Sequence, residues 1–119
     1  MTTQEVASRL KELCSKGEFE TAQKELFSDD AVSIEPHATP AFGKETRGLQ
    51  EIIEKGKKFE QMVDTMHSLS VSDPVVADNS LAMTMTMDVT MKEQGRMKMT
   101  ELCVYKLKEG KIISEQFFI

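Results

Sequence analysis

The chain contains no tryptophan, and only 6% of its 119 residues are aromatic, whereas nine are methionine. Hydrophobic residues still make up 39% and charged residues 29%, a balance that excludes wholesale disorder. A chain of this length is predicted to form a single domain, residues 1–119, with a real core. Part of that core must be built from flexible thioether chains rather than from rings.

Cysteine and histidine are scarce as well. The chain has two cysteines, Cys14 and Cys103, and two histidines, His37 and His67. None of them stands at the spacing of a zinc site, and two distant cysteines do not make a disulfide framework. We therefore predict two buried thiols and neither a metal nor another cofactor.

Basic residues are outnumbered 15 to 20 by acidic ones, which gives a net charge of −5. Nucleic acids and anionic membranes attract clustered Lys and Arg, and the densest group here is only Lys55, Lys57 and Lys58. No apolar run approaches the roughly 20 residues of a membrane span, and the start MTTQEVASRL carries no hydrophobic signal segment. We expect no nucleic-acid or membrane partner, and a cytoplasmic location.

The first half of the chain is dominated by helical periodicity. Apolar residues recur at helical spacing in three segments, which begin near Thr2, Phe19 and Leu49. Gly17 ends the first segment, and the third is predicted to run to Met66.

Alternation of apolar and polar residues with a period of two predicts strands in one short stretch of the first half and throughout the second half. A short strand over 31–35 follows the second helix and is closed by Pro36, and a loop is expected over 36–48. After His67, four strands joined by short turns are predicted over 69–119. Helices first and strands last predict an α+β domain with a mostly antiparallel sheet that covers the long helix.

Alternation also predicts which side chains face the interior. The predicted inner face carries Met85, Met87, Met99, Glu101, Cys103 and Tyr105, with His67 and Gln116 at matching parity on the flanking strands. The methionines are consistent with core packing or with an adaptable pocket for a small apolar ligand. The opposite face is rich in threonine, for instance Thr84 and Thr86, and suits either water or a partner.

Three residues are candidates for acid–base chemistry. Glu35 ends the first predicted strand directly before Pro36, and a carboxylate held at a pocket mouth can abstract a proton, although a strand-end glutamate can equally be solvated. Glu101 shares an inward face with methionines, which is rare for glutamate unless a cavity or partner receives it. His37 follows Pro36 and could shuttle protons near neutral pH.

The element order, the segment LFSDDAVSIEP and the ending VYKLKEGKIISEQFF resemble the SnoaL-like branch of the NTF2-like superfamily. The resemblance implies a curved, mostly antiparallel sheet wrapped around three N-terminal helices, which form a cone with a pocket at its open end. It also implies frequent dimerisation through the outer face of the sheet. The superfamily contains polyketide cyclases, ketosteroid isomerases and non-catalytic proteins, so it does not imply one activity.

Ketosteroid isomerases of this superfamily carry their general base directly before a proline at the end of the first strand, where this chain has Glu35 and Pro36. The positions of their oxyanion-hole donors fall near Leu10 and on Cys103, which cannot donate a strong hydrogen bond. The resemblance therefore implies cyclase- or isomerase-like acid–base chemistry on a small apolar carbonyl compound, without ketosteroid isomerase activity. A non-catalytic small-ligand binder and a dimeric interaction module remain alternatives.

Overall fold

Three helices cover the inner face of a curved seven-stranded sheet in the computed structural model, which describes residues 1–119. The helices are α1 (Thr3–Ser15), α2 (Phe19–Leu26) and α3 (Leu49–Met62). The strands are β1 (Phe27–Ile34), β2 (Glu45–Arg47), β3 (Val63–Val71), β4 (Val75–Ala77), β5 (Ser80–Met91), β6 (Gly95–Lys108) and β7 (Lys111–Phe118).

The strand order is β2-β1-β7-β6-β5-β3, with β4 pairing with β5 beside this path. All pairs are antiparallel except β1 with β7, which run parallel. The predicted α+β fold, with a curved and mostly antiparallel sheet around N-terminal helices, is confirmed. None of the three helices combines the length and the apolar character needed to cross a lipid bilayer.

Helix α1 begins with a reciprocal cap. The Thr2 hydroxyl accepts a hydrogen bond from the Glu5 amide at 3.1 Å, and the Glu5 carboxylate accepts one from the Thr2 amide at 2.8 Å. The helix ends before Gly17, whose φ of +74° reverses the chain into α2 at no steric cost. The cap and the glycine fix where α1 lies, so that its apolar residues Val6 and Leu10 are buried against the sheet.

The third helix is shorter than predicted, because it ends at Met62 and the chain continues as β3. Irregularities in the pairing of β3 with β5 leave Val63, Met66 and Leu69 opposite inward-facing residues of β5. These three residues stand three apart, a spacing that imitates a helix. The prediction of helix up to Met66 was therefore wrong for the last four residues.

The chain before α3 also differs from the predictions. The first strand begins at Phe27 rather than at residue 31, and the predicted loop contains β2, which pairs with β1. Gly48 follows β2 with a φ of +94° and donates its amide to the Ala31 carbonyl at 2.8 Å. This contact ties the start of α3 to the middle of β1.

The apolar core occupies only one part of the space between helices and sheet. Leu10, Leu26, Ile52, Met83 and Ile112 are among its fully buried side chains. Farther along the sheet, α3 and the loop after β1 do not pack directly on the inner face. A cavity lies between them and the sheet.

Candidate functional site

The cavity has a volume of about 1120 Å³ and lies between the inner face of the sheet, the three helices and the loop after β1. Hydrophobic residues make up 21 of the 37 that line it. Seven of the nine methionines are among them, namely Met62, Met66, Met85, Met87, Met91, Met97 and Met99. Small-molecule sites are typically apolar cavities of roughly 300–1,000 Å³, so this one has room for a drug-sized compound.

Four ionisable side chains from four different elements line the same cavity. Glu35 follows β1, Glu101 lies in β6, Glu115 lies in β7, and Lys55 comes from α3. The charges of the three carboxyl groups and of Lys55 influence one another. We call these four residues the glutamate cluster, and they share a cavity whose lining is mostly hydrophobic.

Each carboxyl group is brought inward by the pleat of its own strand. Ala31 and Ser33 are fully buried, and Glu35 is the next residue at this parity, with its amide donating to the Lys44 carbonyl at 2.7 Å. Glu101 lies between Met99 and Cys103 on the inner face of β6.

Glu115 faces inward because of a bulge. The pairing of β6 with β7 shifts between Lys106 and Leu107, so that Glu115 comes to lie opposite the buried Tyr105. Only 5% of Glu115 is exposed.

A chain of hydrogen bonds links three members of the site. Lys55 Nζ donates to Ser33 Oγ at 2.7 Å, and Ser33 Oγ donates to Glu115 Oε2 at 2.7 Å. Lys55 Nζ also lies 3.9 Å from Glu35 Oε1, which is within ion-pair distance but too long for a hydrogen bond. The cation is thus attached to β1 and, through Ser33, to β7.

Glu101 is the member of the cluster that has no such partner. Its carboxyl group is half-buried, and no hydrogen bond or salt bridge from the chain reaches it. Burial raises the pKa of Glu101 to about 7, the charges of Glu35 and Glu115 add to this rise, and Lys55 opposes it. A carboxyl group with this pKa exchanges its proton near neutral pH.

The pKa of Glu115 is also raised, primarily by burial. The hydrogen bond from Ser33 and the charge of Lys55 oppose this effect, whereas Glu35 adds to it. Two of the three carboxyl groups therefore bind protons more tightly than an ordinary glutamate does.

Several other predicted site residues also lie at the cavity. His37 lines it from the loop, and Met85, Met87 and Met99 line it from the sheet. Tyr105 lines it too, although it is almost completely buried and packs edge-on against Phe27 with ring centroids 6.4 Å apart. Burial raises the pKa of Tyr105 well above its usual range, so the phenol keeps its proton.

The predicted contacts of His67, Cys103 and Gln116 with the cavity are not found. The His67 ring lies 2.7 Å from the Thr90 hydroxyl, beside an irregularity of β3, and is exposed. Gln116 pairs with Val104 and takes the outward position that unbroken alternation would have given to Glu115. Cys103 is fully buried in the apolar core.

The sequence predictions missed Ser33, Lys55 and Glu115 as site residues. Lys55 could have been found, because it stands three residues after Ile52 and four before Phe59 on the apolar face of α3. Ser33 shares its parity with Ala31, whereas the inward turn of Glu115 depends on a bulge that the sequence pattern does not show.

The cluster can hold and transfer protons and can attract a charged or polar atom of a bound molecule. No three His, Cys, Asp or Glu side chains are arranged to hold a metal ion. The fold and the cavity define an α+β domain with a partly open acidic site on the inner face of its sheet.

A family model described as the SnoaL-like domain matches residues 1–119, and the chain belongs to this family. It is 30% identical, over the full length of both chains and with a TM-score of 0.93, to a presumed SnoaL-like polyketide cyclase (also labelled a carbohydrate phosphatase) from Mesorhizobium loti. None of the curated proteins matches the chain in sequence.

Two more distant structures share the fold. TerC, co-crystallised with polyporic acid, is 12% identical with a TM-score of 0.78, and the match covers 98% of this chain and 90% of TerC. A protein with a ketosteroid isomerase-like fold from Catenulispora acidiphila, in complex with trimethylamine, is 13% identical with a TM-score of 0.74, covering 97% and 85%. At these identities the likeness shows the fold alone.

Proposed function

We propose that the protein is an acid–base catalyst that acts on a small apolar carbonyl compound inside the cavity. The observation that carries this proposal is the Glu101 carboxyl group, which lies without a partner in a methionine-lined cavity with Glu35 close enough to influence its pKa. An unpaired carboxyl group in apolar surroundings is costly to keep. A bound molecule that exchanges a proton with it accounts for that cost.

The two carboxyl groups are proposed to have different roles. Glu35, at the end of β1, acts as the base and takes a proton from the carbon next to the carbonyl group. The electron pair of that C–H bond moves into the carbonyl group and forms an enolate. Glu101, which holds a proton near neutral pH because burial raises its pKa, gives that proton to the substrate as the acid. His37 lines the same cavity and is proposed to assist proton exchange with solvent.

Ketosteroid isomerase activity itself is not part of the proposal. Leu10 lines the cavity where an isomerase would carry a tyrosine, and Cys103 is buried away from it. Neither residue can stabilise an oxyanion with a strong hydrogen bond. We expect negligible isomerisation of a 3-keto-Δ5 steroid.

The test is hydrogen–deuterium exchange at the α-carbon of 1-tetralone in D₂O, followed by ¹H NMR. This reaction reports enolisation whatever the natural product of the enzyme is. Wild-type protein should accelerate exchange over buffer, and Glu35→Gln and Glu101→Gln should each remove most of the acceleration, since acid–base groups typically contribute about 10²–10⁴-fold.

Glu93→Gln is the matched control, because Glu93 is exposed in the turn between β5 and β6 and should leave exchange unchanged. Exchange that is equally fast in the wild type and in Glu35→Gln would refute the catalytic role of Glu35. Wild-type protein that binds the ketone without any acceleration would leave binding without chemistry as the function.

That second function, a non-catalytic binder of small apolar molecules, is favoured by the predominance of methionine in the cavity wall. Methionine side chains repack around ligands of different shape. What separates the binder from the enzyme is wild-type α-proton exchange, which the binder does not accelerate over buffer.

We also propose that the outer face of the sheet forms a homodimer, which is the third role considered for this domain. Thr84, Thr86, Leu102 and Val104 lie on that face, opposite the methionines, and Leu102 is 40% exposed. Unpartnered apolar surface of this kind is typical of a protein contact.

A further inference from the structure

Lys55 has more hydrogen-bonding capacity than the chain uses. Its side chain is 16% exposed, and its ammonium group carries three N–H donors. Ser33 accepts one of them at 2.7 Å. The nearest carboxylate oxygen, on Glu35, is 3.9 Å away, and the centroid of the Phe117 ring is 5.8 Å away. Two donors of a mostly buried cation thus have no hydrogen-bond partner in the protein.

The position of this cation is fixed by two residues that do not themselves need to contact a ligand. The Ser33 hydroxyl gives its hydrogen to Glu115, so that it must present a lone pair to Lys55. Ser33 and Glu115 are fully or nearly fully buried and are direct neighbours in the pairing of β1 with β7. The ammonium group is therefore held at the cavity wall instead of extending into water.

A compact anion that never loses its charge fits this site poorly. Glu35 stands beside Lys55 and would repel such a group, and within the glutamate cluster one cation stands against three carboxyl groups. A delocalised anion that can also exist as a neutral acid avoids this repulsion. It can share a proton with a neighbouring carboxyl group, so that the two need not both be charged. Methionines around the cluster require that the rest of the molecule be apolar.

Building on the proposed acid–base function, we propose that Lys55 binds the acidic oxygen of the substrate, and that the substrate class is an apolar cyclic 1,3-dicarbonyl compound in its enol or enolate form. One oxygen accepts hydrogen bonds from the free Lys55 donors, and the second accepts one from the acid form of Glu101. Lys55 thereby takes the place of the donors that an isomerase would carry at Leu10 and Cys103.

The experiment compares two probes that share a skeleton. These are 2-phenylindane-1,3-dione, which ionises to a coloured enolate, and 2-phenylindan-1-one, which lacks the second carbonyl group. Binding is measured by calorimetry at pH 6, where Glu101 keeps most of its proton since its pKa is about 7. Wild-type protein should bind the dione at least about tenfold more tightly than the ketone, because hydrogen bonds to charged groups contribute about 1.5–3 kcal/mol.

The decisive variant is Lys55→Met, which keeps the apolar stem and removes the charge. It should lose the preference for the dione while its affinity for the ketone stays within about threefold, since the cavity wall is otherwise intact. Ser33→Ala should lose part of the preference, because it frees Lys55 without removing it. Lys24→Met, an exposed residue of α2 outside the cavity, removes the same charge and should behave as the wild type.

Absorbance gives an independent readout, because the bound dione should stay ionised to a lower pH in the wild type than in Lys55→Met. Should Lys55→Met fail to fold, Lys55→Gln replaces it in both measurements. A variant without the Lys55 charge that retains the dione preference would overturn the proposal, and so would wild-type protein that binds neither probe or prefers the ketone.

The two proposals fail in different ways. Loss of the dione preference in Lys55→Met together with no α-proton exchange in the wild type supports the binding role of Lys55 and rejects catalysis. Exchange that depends on Glu35 and Glu101 but not on Lys55, with the dione preference unchanged, supports catalysis and rejects the role of Lys55.

Discussion

Replacement of Glu101 by glutamine is expected to stabilise the folded protein at alkaline pH. The folded state holds this carboxyl group at a pKa of about 7, against an ordinary value of 4.5, primarily because the group is buried. Each pKa unit is equivalent to about 1.4 kcal/mol, so ionisation of Glu101 costs the folded protein on the order of 3 kcal/mol. Glutamine has nearly the same shape and cannot ionise.

The direction of the pH effect depends on whether the folded or the unfolded state binds the Glu101 proton more tightly. Because the pKa of Glu101 is higher in the folded than in the unfolded state, its contribution to stability is complete below about pH 4.5 and is lost as the pH rises to about 7. The wild type should therefore lose stability over this interval through Glu101, and Glu101→Gln should not.

Urea unfolding at pH 5 and at pH 8.5 measures the effect, since a single domain of this size is expected to unfold in one cooperative step. The free energy of unfolding should fall between the two pH values by about 2–3 kcal/mol more in the wild type than in Glu101→Gln. Glu93→Gln should follow the wild type. An identical change in the wild type and Glu101→Gln would show instead that Glu101 is solvated and has an ordinary pKa.

Three further predictions concern packing, backbone strain and assembly. Met83→Ala should cost about 2–5 kcal/mol in urea unfolding, because Met83 is only 2% exposed, whereas Met99→Ala at the cavity wall should cost clearly less. Gly48→Ala should cost about 1–3 kcal/mol, because φ is +94° there, whereas Gly56→Ala within α3 should be neutral or stabilise by up to about 1 kcal/mol, since an added Cβ meets nothing within 4 Å. Sedimentation at micromolar concentration should give about twice 13.4 kDa for the wild type, and Leu102→Lys should halve that mass; a wild-type monomer would reject the dimer.

The sequence predicted the fold well where pairing is regular. From Ser80 opposite Lys106 to Met91 opposite Gly95, β5 and β6 pair without a single shift, so that alternation alone identifies the inward residues of both strands. In β3 the shifts reproduce helical spacing, and in β7 one shift exchanges the roles of Glu115 and Gln116. Bulges of this kind depend on how strands are packed together, and the sequence pattern does not show where they fall.

The site could be predicted only in part for a related reason. Glu101 is identifiable because a charged residue interrupts an apolar face within one strand. Ser33 and Glu115 are 82 residues apart and meet only because β1 runs parallel to β7. Lys55 was visible on the apolar face of α3, but its role depends on that long-range pair.

The proposed chemistry depends above all on a Glu101 carboxyl group that holds its proton near neutral pH inside the cavity. A ¹³C NMR titration of protein labelled at the glutamate side-chain carboxyl carbon measures this directly, with Glu101→Gln to assign the resonance. We expect a midpoint of about 7 for Glu101 in the wild type, and a lower midpoint in Glu35→Gln, because Glu35 contributes to the rise. A midpoint near the ordinary glutamate value of about 4.3 would show that Glu101 is ionised at neutral pH and cannot act as the acid.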